Sequence, residues 1–154
     1  MANMQLDALD YFILKTLSED ARKPYLEIAR ECGVSGAAIH QRIQKLTHNG
    51  VIVGSQTLIT PSSVGYGTCA YIGFCLADPF RFDEVVEQLR QVPEVVELHF
   101  TTGKYDLFIK VYAKNNPDLL NIIHTKLQNI GFGRTETIVS FKEEFRRQVP
   151  IIQD

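Results

Sequence analysis

Acidic side chains are missing from a long internal stretch of this 154-residue chain, which contains no Asp or Glu from Cys32 to Ala77. The chain as a whole has 16 Lys and Arg against 18 Asp and Glu, and a net charge this small does not by itself indicate a nucleic-acid-binding protein. Residues 1–60 hold equal numbers of basic and acidic residues, but every acid among them precedes residue 32. The segment after residue 32 is therefore locally cationic.

The sequence also lacks the patterns that mark metal sites, disulfides and membrane segments. Cys32, Cys69 and Cys75 are odd in number and form no CxxC pair, so we interpret them as buried thiols. The four histidines show no metal-ligand spacing, and the N-terminal residues show no basic n-region or apolar h-region. The longest apolar run, near residues 70–77, is too short to span a bilayer. We therefore expect a cytoplasmic protein without a metal, a signal peptide or a membrane partner.

Common catalytic motifs are also absent from the sequence. The chain contains no P-loop, GxGxxG, GxSxG or HExxH motif. Ser, His and Asp residues all occur, but they occur in most chains and do not by themselves indicate a catalytic set. We therefore predict that the protein is not an enzyme.

Hydrophobic periodicity predicts three helices within residues 1–60. The first helix begins after the N-cap residue Asp7, and the second has Pro24 in its first turn. Gly33 ends the second helix, and Ser35 caps the third. Apolar residues recur at helical spacing along the three segments, which predicts one buried face for each: Leu9, Phe12, Ile13 and Leu17; Tyr25, Ile28, Ala29 and Cys32; Ile39, Ile43 and Leu46.

The remaining residues alternate between extended and helical patterns. Residues 51–60 are predicted to be extended, and the linker candidate is the stretch from Thr60 to Gly67, which contains Pro, Ser and Gly. The order strand-helix-strand-strand-helix-strand then predicts a ferredoxin-like sandwich of two helices on an antiparallel sheet. The helices are marked by two sets of apolar residues: Phe82, Val85, Val86 and Leu89; Leu120, Ile123, Leu127 and Ile130.

We therefore predict an α+β protein with two domains, a helix-turn-helix domain at 1–60 and a βαββαβ domain at 61–154. The first includes the predicted strand and linker after its helices. One face of the βαββαβ sheet has no helices, and such a face tends to recruit a partner. We expect the chain to form homo-oligomers.

The second and third helices are joined by the short turn at residues 32–35, which predicts a helix-turn-helix. The second helix of such a motif lies in the major groove, with its N-terminal turn nearest the bases. Small residues there let the backbone approach DNA, and exposed amides at a helix N-terminus favour an oxyanion. Because Arg42 and Lys45 are three residues apart, we expect them to share a face and to reach phosphates or guanine edges.

The predicted DNA contacts come from this one helix and its cap: Ser35, Gly36, Ala37, Ala38, His40, Gln41, Arg42 and Lys45. The same pattern is compatible with an ordinary three-helix bundle whose polar face is merely solvated. Contacts to the DNA backbone outnumber contacts to bases in such interfaces, so the pattern does not say which residues touch bases.

A second candidate site lies in the stretch TTGKYD at residues 101–106, between two predicted strands. Gly103 permits a sharp turn with positive φ, and the neighbouring amides can bind a carboxylate as a small backbone nest. Asp106 can accept a hydrogen bond from an α-ammonium group. Together these groups would recognise the zwitterionic end of an amino acid. The alternative is a hairpin turn with a stabilising aspartate.

Three stretches together resemble the leucine-responsive regulator/AsnC (Lrp/AsnC) family of bacterial and archaeal transcription regulators: LDALDYFILKTL, EIARECGVSGAAIHQRIQKLTHNGVIVG and TTGKYDLFIKV. The resemblance covers the chain from Leu6 to about Phe145. It implies a winged-type helix-turn-helix, a ligand-responsive domain, no cofactor, an effector that is often an amino acid, and assembly of dimers into octamers or other multiples. Members often carry Pro or Thr where this chain has Gly36, Ala37 and Ala38, which shifts the expected readout toward Arg42, Gln41 and the backbone.

The resemblance also implies the effector residues. In the family the TTGKYD loop lies at a subunit interface and contacts the effector, and residues of the last strand come close to it. The implied site contains Thr102, Gly103, Tyr105, Asp106, Thr137 and Ser140.

The predicted function is a sequence-specific DNA-binding transcription regulator modulated by a small molecule, with an amino acid as the expected effector. Its predicted partners are double-stranded DNA, that effector and further copies of the chain. Two alternatives stay open. One is a DNA-packaging regulator without an effector, and the other is a small-molecule-binding ferredoxin-like domain with a helix bundle that does not bind DNA.

Overall fold

A computed structural model of the chain describes residues 5–153, which divide into two compact units. One unit contains the residues up to Leu58 together with the segment from Phe145, and the other spans Ile59–Glu144. The division thus falls two residues before the expected boundary at residue 60. Within residues 5–153, none of the helices has the length and apolar character needed to cross a membrane.

Three helices build the N-terminal unit: α1 (Ala8–Glu19), α2 (Tyr25–Cys32) and α3 (Gly36–His48). Their ends follow from local chemistry. The Asp7 and Asp10 side chains each accept the other residue's backbone amide, which forms a capping box at the start of α1. Gly33 ends α2 with φ 68°, where a residue with a Cβ is strained, and the Ser35 side chain caps α3.

The three helices bury one apolar cluster between them: Ile13, Ile28, Ala29, Ile39, Ile43 and Leu46. Ala29 is buried where α2 faces its neighbours, so a small side chain lets the helices approach closely. The periodicity also assigned Phe12 and Tyr25 to buried faces, but these two residues are 38% and 39% exposed. A unit this small covers only the central part of each apolar face.

The expected strand at residues 51–60 is not formed. The chain is irregular after α3, and none of the described residues pairs with it as a neighbouring strand. A strand is stable only where its backbone N–H and C=O groups bond to a second strand. The segment therefore leaves apolar side chains such as Val53 and Leu58 exposed.

The expected linker belongs largely to the second unit. Its Pro61–Val64 residues form a 3-10 turn, and the Gly67 amide donates a hydrogen bond to the Lys114 carbonyl. The segment is thus anchored to the sheet rather than free between domains.

A four-stranded antiparallel sheet of order β2-β3-β1-β4 forms the second unit together with two helices: β1 (Thr68–Leu76), α4 (Phe82–Arg90), β2 (Val95–Phe100), β3 (Leu107–Ala113), α5 (Asn116–Ile122) and β4 (Phe132–Ser140). This is the predicted βαββαβ arrangement. The last strand ends at Ser140, and the chain after it has no sheet partner within the described residues.

The core of this unit lies between the helices and one face of the sheet. The central strands contribute alternate buried residues, and the helices supply the rest: Ala70, Ile72, Phe74, Leu107, Ile109, Val111, Val85, Leu89, Leu119 and Ile122. The expectation for α5 was wrong at Leu120, which is exposed, whereas Leu119 is buried. A π turn at Ile123–Leu127 continues α5 and widens the helical repeat, so that Leu127 faces the core together with Leu119.

Candidate nucleic-acid interface and effector loop

The exposed face of α3 carries four of the eight residues predicted to contact DNA: Ala37, His40, Gln41 and Lys45. The buried stripe turns toward the core, and the rest of the helix presents polar, basic and small side chains to solvent: Ala37, His40, Gln41, Gln44 and Lys45. No acid occurs on α3. This face can therefore approach a polyanion without charge repulsion from its own side chains.

The glycine in the first turn of α3 lies against the end of the Leu26 side chain. A Cβ added at Gly36 would lie 2.8 Å from Leu26 Cδ2, which is closer than two carbon atoms can approach. The Ser35 Oγ accepts the Ala38 amide at 3.1 Å, and Ala38 is half-buried. Gly36 is half-buried beside Leu26, whereas Ala37 is exposed to solvent.

The first turn of α2 borders the same surface. The Tyr25 ring lies beside the His40 ring, with 6.0 Å between centroids. Leu26 packs across Gly36 but remains largely exposed. Sequence periodicity placed Tyr25 in the buried stripe and did not mark Leu26, since only the packing of α2 on α3 brings both to this surface.

Arg42 differs from its expected place. Its Nη1 lies 2.5 Å from Asp7 Oδ2 and 3.1 Å from Asp10 Oδ1, so the guanidinium is bound to the start of α1 rather than exposed beside Lys45. The reason is its position in the helix: it lies three residues after Ile39 and one before Ile43, at the border of the buried stripe.

The charges of this cluster stabilise one another. The amide of Asp10 and the Arg42 guanidinium lower the pKa of the Asp7 carboxyl. The hydrogen bond to the Asp7 carboxylate, and after it the hydrogen bond to the Asp10 carboxylate, raise the pKa of Arg42. Asp10 is buried, and within residues 5–153 the other buried charged residue is Lys110.

The effector-loop candidate is the hairpin between β2 and β3. Gly103 has φ 102°, as the sharp turn required, and it is exposed together with Thr102. The Thr101 Oγ1 donates to the Tyr105 carbonyl at 2.7 Å, and the Thr101 amide donates to the Asp106 carbonyl at 2.9 Å. These bonds close the turn, and residues 102–104 at its tip are exposed.

Asp106 ties this hairpin to the end of β1. Its Oδ2 accepts the Leu76 amide at 2.8 Å, and its own amide donates to the Phe74 carbonyl at 3.0 Å. The bond falls where the β1–β4 register shifts between Phe74 and Leu76. The structural role of this aspartate, given above as the alternative to effector binding, is thus present in the structure.

Tyr105 lies flat against the backbone of β1. Gly73 is buried beneath it, and a Cβ at that position would penetrate the ring. Lys104 Nζ stands 4.9 Å from the ring centroid and bonds to Glu136 Oε2 at 2.6 Å. The Tyr105 Oη is buried and has no hydrogen-bond partner among the residues described. A buried hydroxyl without a partner is costly, so a polar group that reaches it would bind favourably.

Ser140 lies away from the hairpin along β4, whereas Thr137 follows Glu136, which bonds to Lys104 of the hairpin, but faces the other side of the sheet. Ser140 pairs with Cys69, five residues along β1 from Phe74, which corresponds to roughly 16 Å of strand. Thr137 pairs with Ile72, so its side chain points to the helix-covered face, opposite to that of Ser140. No motif fixed the place of these two residues on β4, and sequence reasoning alone did not resolve it.

The sequence pattern missed a buried cation on the helix-free face of the sheet. Lys110 is 4% exposed, and its Nζ lies 3.5 Å from Glu97 Oε1 and 3.4 Å from Glu143 Oε2. Burial lowers the pKa of Lys110, but the charge of Glu97 and the neighbouring groups outweigh it, so the net pKa is raised. The Lys110 Nζ also lies 5.9 Å from the centroid of the Tyr71 ring and 5.5 Å from that of the Tyr112 ring. Among residues 5–153, no three His, Cys, Asp or Glu side chains are grouped as metal ligands.

Comparison with known proteins places both units among described domains. The family model for an AsnC-type helix-turn-helix domain matches residues 6–47, and the model for the Lrp/AsnC ligand binding domain matches residues 70–150. The regulatory protein AsnC of Haemophilus influenzae is 37% identical over 145 residues, which cover 94% of this chain and 97% of that protein. AsnC of Escherichia coli K12 is 33% identical over 150 residues, covering 97% and 99%.

Solved structures agree with these matches. The structure of E. coli AsnC superimposes with a TM-score of 0.88 at 32% identity and covers 95% of this chain and 99% of that one. The regulator NMB0573 of Neisseria meningitidis, solved as an L-Met complex, has a TM-score of 0.89, covers 96% and 97%, and at 21% identity shows the fold alone. The predicted helix-turn-helix and α+β fold class are thereby confirmed.

Proposed function

The chain belongs to the Lrp/AsnC family of transcriptional regulators, and from this premise we propose that it binds specific duplex DNA sites through α3 and that an amino acid modulates this binding. The observation that carries the first half is the acid-free, exposed face of α3 within the helix-turn-helix unit. Its relatives carry the names of regulatory proteins, which supports a regulator rather than an enzyme.

The proposed DNA contacts are the residues of the recognition surface that solvent reaches. Ala37 lets the first turn approach the backbone of DNA, and the N-terminal amides of α3 bind phosphate. Gln41 has the shape to pair with an adenine edge, and Lys45 is suited to phosphate. Ser35 uses its oxygen as the cap but keeps its hydroxyl proton to donate. His40 completes the surface, whereas Gly36 and Ala38 contribute packing and backbone approach.

Binding by a single helix would be weak, so we propose that the chain acts as a dimer or a multiple of dimers. One recognition helix covers few base pairs, and a second copy on the same duplex adds avidity without a new kind of contact. Val53 and Leu58 in the unpaired segment after α3 are exposed apolar residues that a second copy can cover. A two-fold arrangement requires half-sites about one helical turn apart, or a multiple of that.

The effector site proposed here is the β2–β3 hairpin. Exposed amides around Gly103 suit a carboxylate, and the buried Tyr105 Oη offers an unused hydrogen-bonding group nearby. Asp106 and Thr102 flank these groups, whereas Thr137 and Ser140 enter the site only from a neighbouring copy. We propose an amino acid as the effector because its carboxylate suits the exposed amides of this loop, and because the neisserial regulator of the same fold was solved with L-Met.

The DNA half of this proposal is tested by titrating duplex DNA with full-length protein at two salt concentrations. Lys45→Ala should weaken binding on all sequences and lower the slope of log K against log salt by about 0.9, as expected for one lost phosphate contact. Arg90→Ala, an exposed cation on α4, serves as the matched control and should leave both quantities unchanged. Equal losses in the two variants would show that α3 is not the DNA-binding element.

The effector half is tested by measuring the change in melting temperature of the protein with each common amino acid. Gly103→Val should abolish the response because a β-branched residue resists φ 102°, while amide exchange in α1–α3 stays unchanged. A protein that binds DNA but responds to no amino acid would instead favour the DNA-packaging alternative. A variant that keeps the response would exclude the hairpin.

A further inference from the structure

The contact between the start of α1 and the middle of α3 contains a charged cluster that the DNA contacts above do not use. We propose that Arg42 is a positioning residue, which fixes the recognition helix through Asp7 and Asp10 instead of touching DNA. This inference rests on the proposed function of α3 as the DNA-binding element.

The geometry of the cluster is that of a built ion pair. Both carboxylates bond to the same guanidinium nitrogen of Arg42, whose side chain is 34% exposed, and the Asp10 side chain is 2% exposed. A carboxylate this well buried requires a partner, because removing one member of a buried pair leaves an uncompensated charge. The described residues provide Asp10 with Arg42 as its cation and the Asp7 amide as its other donor.

The same two aspartates form the capping box of α1, and this makes the cluster directional. Asp7 accepts the Asp10 amide at 2.9 Å, and Asp10 accepts the Asp7 amide at 3.1 Å. Arg42, whose backbone belongs to α3, is thereby anchored to the first turn of α1. The buried stripe of Ile39, Ile43 and Leu46 sets which face of α3 turns inward, and the Arg42 ion pair adds a directional polar contact to that packing.

Charge distinguishes this role from a DNA contact. If Arg42 bound a phosphate, it would have to leave Asp10 unpaired close to the polyanion, and neutralising Asp10 would then strengthen DNA binding. If Arg42 positions α3, neutralising Asp10 loosens the helix and weakens specific binding. The two roles predict opposite signs for the same substitution.

The experiment compares full-length wild type with Asp10→Asn, Arg42→Gln and the double variant. Each binds two probes: a duplex selected from genomic fragments by the wild-type protein, and a random-sequence duplex of equal length. Each single variant should weaken the selected duplex at least about tenfold and the random duplex less than about twofold, with an unchanged salt slope. The double variant should bind no more weakly than the weaker single variant, because the residues act as one unit.

A general loss of stability would lower binding to both probes alike, so the ratio between probes separates positioning from unfolding. Circular dichroism at the binding temperature checks that each variant is folded. If Asp10→Asn unfolds the N-terminal unit, Asp7→Asn replaces it, since that carboxylate is half exposed, and a loss confined to the selected duplex is expected.

Tighter binding by the aspartate variants, or a shallower salt slope in Arg42→Gln, would overturn the inference and make Arg42 a phosphate contact. An unchanged ratio between the two probes would overturn it as well. Wild-type protein that binds neither duplex would be a different result, because it would refute the proposed DNA binding itself.

Discussion

Replacing Gly73 by alanine is expected to displace the Tyr105 ring of the β2–β3 hairpin from β1 and to destabilise the sheet. The added Cβ would lie 2.6 Å from Tyr105 Cγ, far inside the carbon–carbon contact distance of about 3.5 Å. Because Cγ is the ring atom nearest the backbone, the ring cannot avoid the clash by moving its far end alone, and the hairpin must shift. Overpacking of this kind costs typically about 1–3 kcal/mol.

Part of that cost is offset by the alanine itself. Glycine in the middle of a strand is less stable than alanine by about 0.5–1 kcal/mol. The net destabilisation is therefore roughly 1 kcal/mol, which accelerates amide exchange through global opening of the unit about fivefold. The assay is hydrogen exchange of the full-length protein, in which the amides of β1 and β3 should exchange faster while those of α1–α3 do not change.

Gly133→Ala is the matched control for this substitution. A Cβ at Gly133 would lie 3.6 Å from the Cys75 carbonyl oxygen, an ordinary contact, so exchange in the sheet should not accelerate. In a Tyr105→Ala background the Gly73→Ala cost should disappear, because the two residues act through one contact. Equal exchange in Gly73→Ala and wild type, or a cost that persists without the tyrosine ring, would refute this packing.

Three further outcomes follow from the N-terminal unit. Leu46→Ala should destabilise that unit by about 2–5 kcal/mol, since Leu46 is fully buried, and a loss below 1 kcal/mol in denaturant unfolding would contradict the core. Ser35→Ala should lower the free energy of unfolding by about 1 kcal/mol and speed hydrogen exchange of the Ala38 amide. Unchanged protection of that amide would contradict the capping role. Asp7 contributes stability that is complete above its ordinary pKa of about 3.9 and is lost as pH falls through its lowered pKa. Melting temperatures of Asp7→Asn should therefore fall less below pH 4 than those of wild type, and equal falls would contradict the shift.

The helix boundaries of the N-terminal unit could be predicted because their causes are local. The capping side chains of Asp7 and Ser35 bond to amides three residues further along the chain. Gly33 ends α2 through its own left-handed backbone conformation. The order of strands and helices was predictable for a similar reason, since periodicity records which face of each element is buried.

The role of Arg42 was not predictable from its own helix. Its partners lie 35 and 32 positions away, and spacing to Lys45 suggested a shared exposed face. A signal was nevertheless present: two aspartates three residues apart at one helix start, and an arginine at the border of another helix's apolar stripe. The prediction that Leu120 of α5 is buried was wrong for a different reason. A π turn follows this residue and changes the helical repeat, which the periodicity assumed to be constant.

Other features depend on groups distant along the chain. The approach of Tyr105 to Gly73 joins two strands, and nothing in the neighbourhood of either residue announces it. The unpaired segment at 51–60 and the separation of Ser140 from the hairpin likewise depend on residues distant along the chain. Local sequence patterns contain no information on these distances.

The most direct measurement is a selection of genomic DNA fragments by full-length protein, with and without each common amino acid. We expect a small set of fragments to be enriched, with half-sites related by two-fold symmetry and spaced about one helical turn or a multiple of it. At least one amino acid should change that enrichment. A variant with Gln41→Ala and Lys45→Ala is the control and should enrich no such set. Fragments spread evenly over the genome, or the same fragments recovered with the control variant, would contradict a regulator that reads DNA through α3.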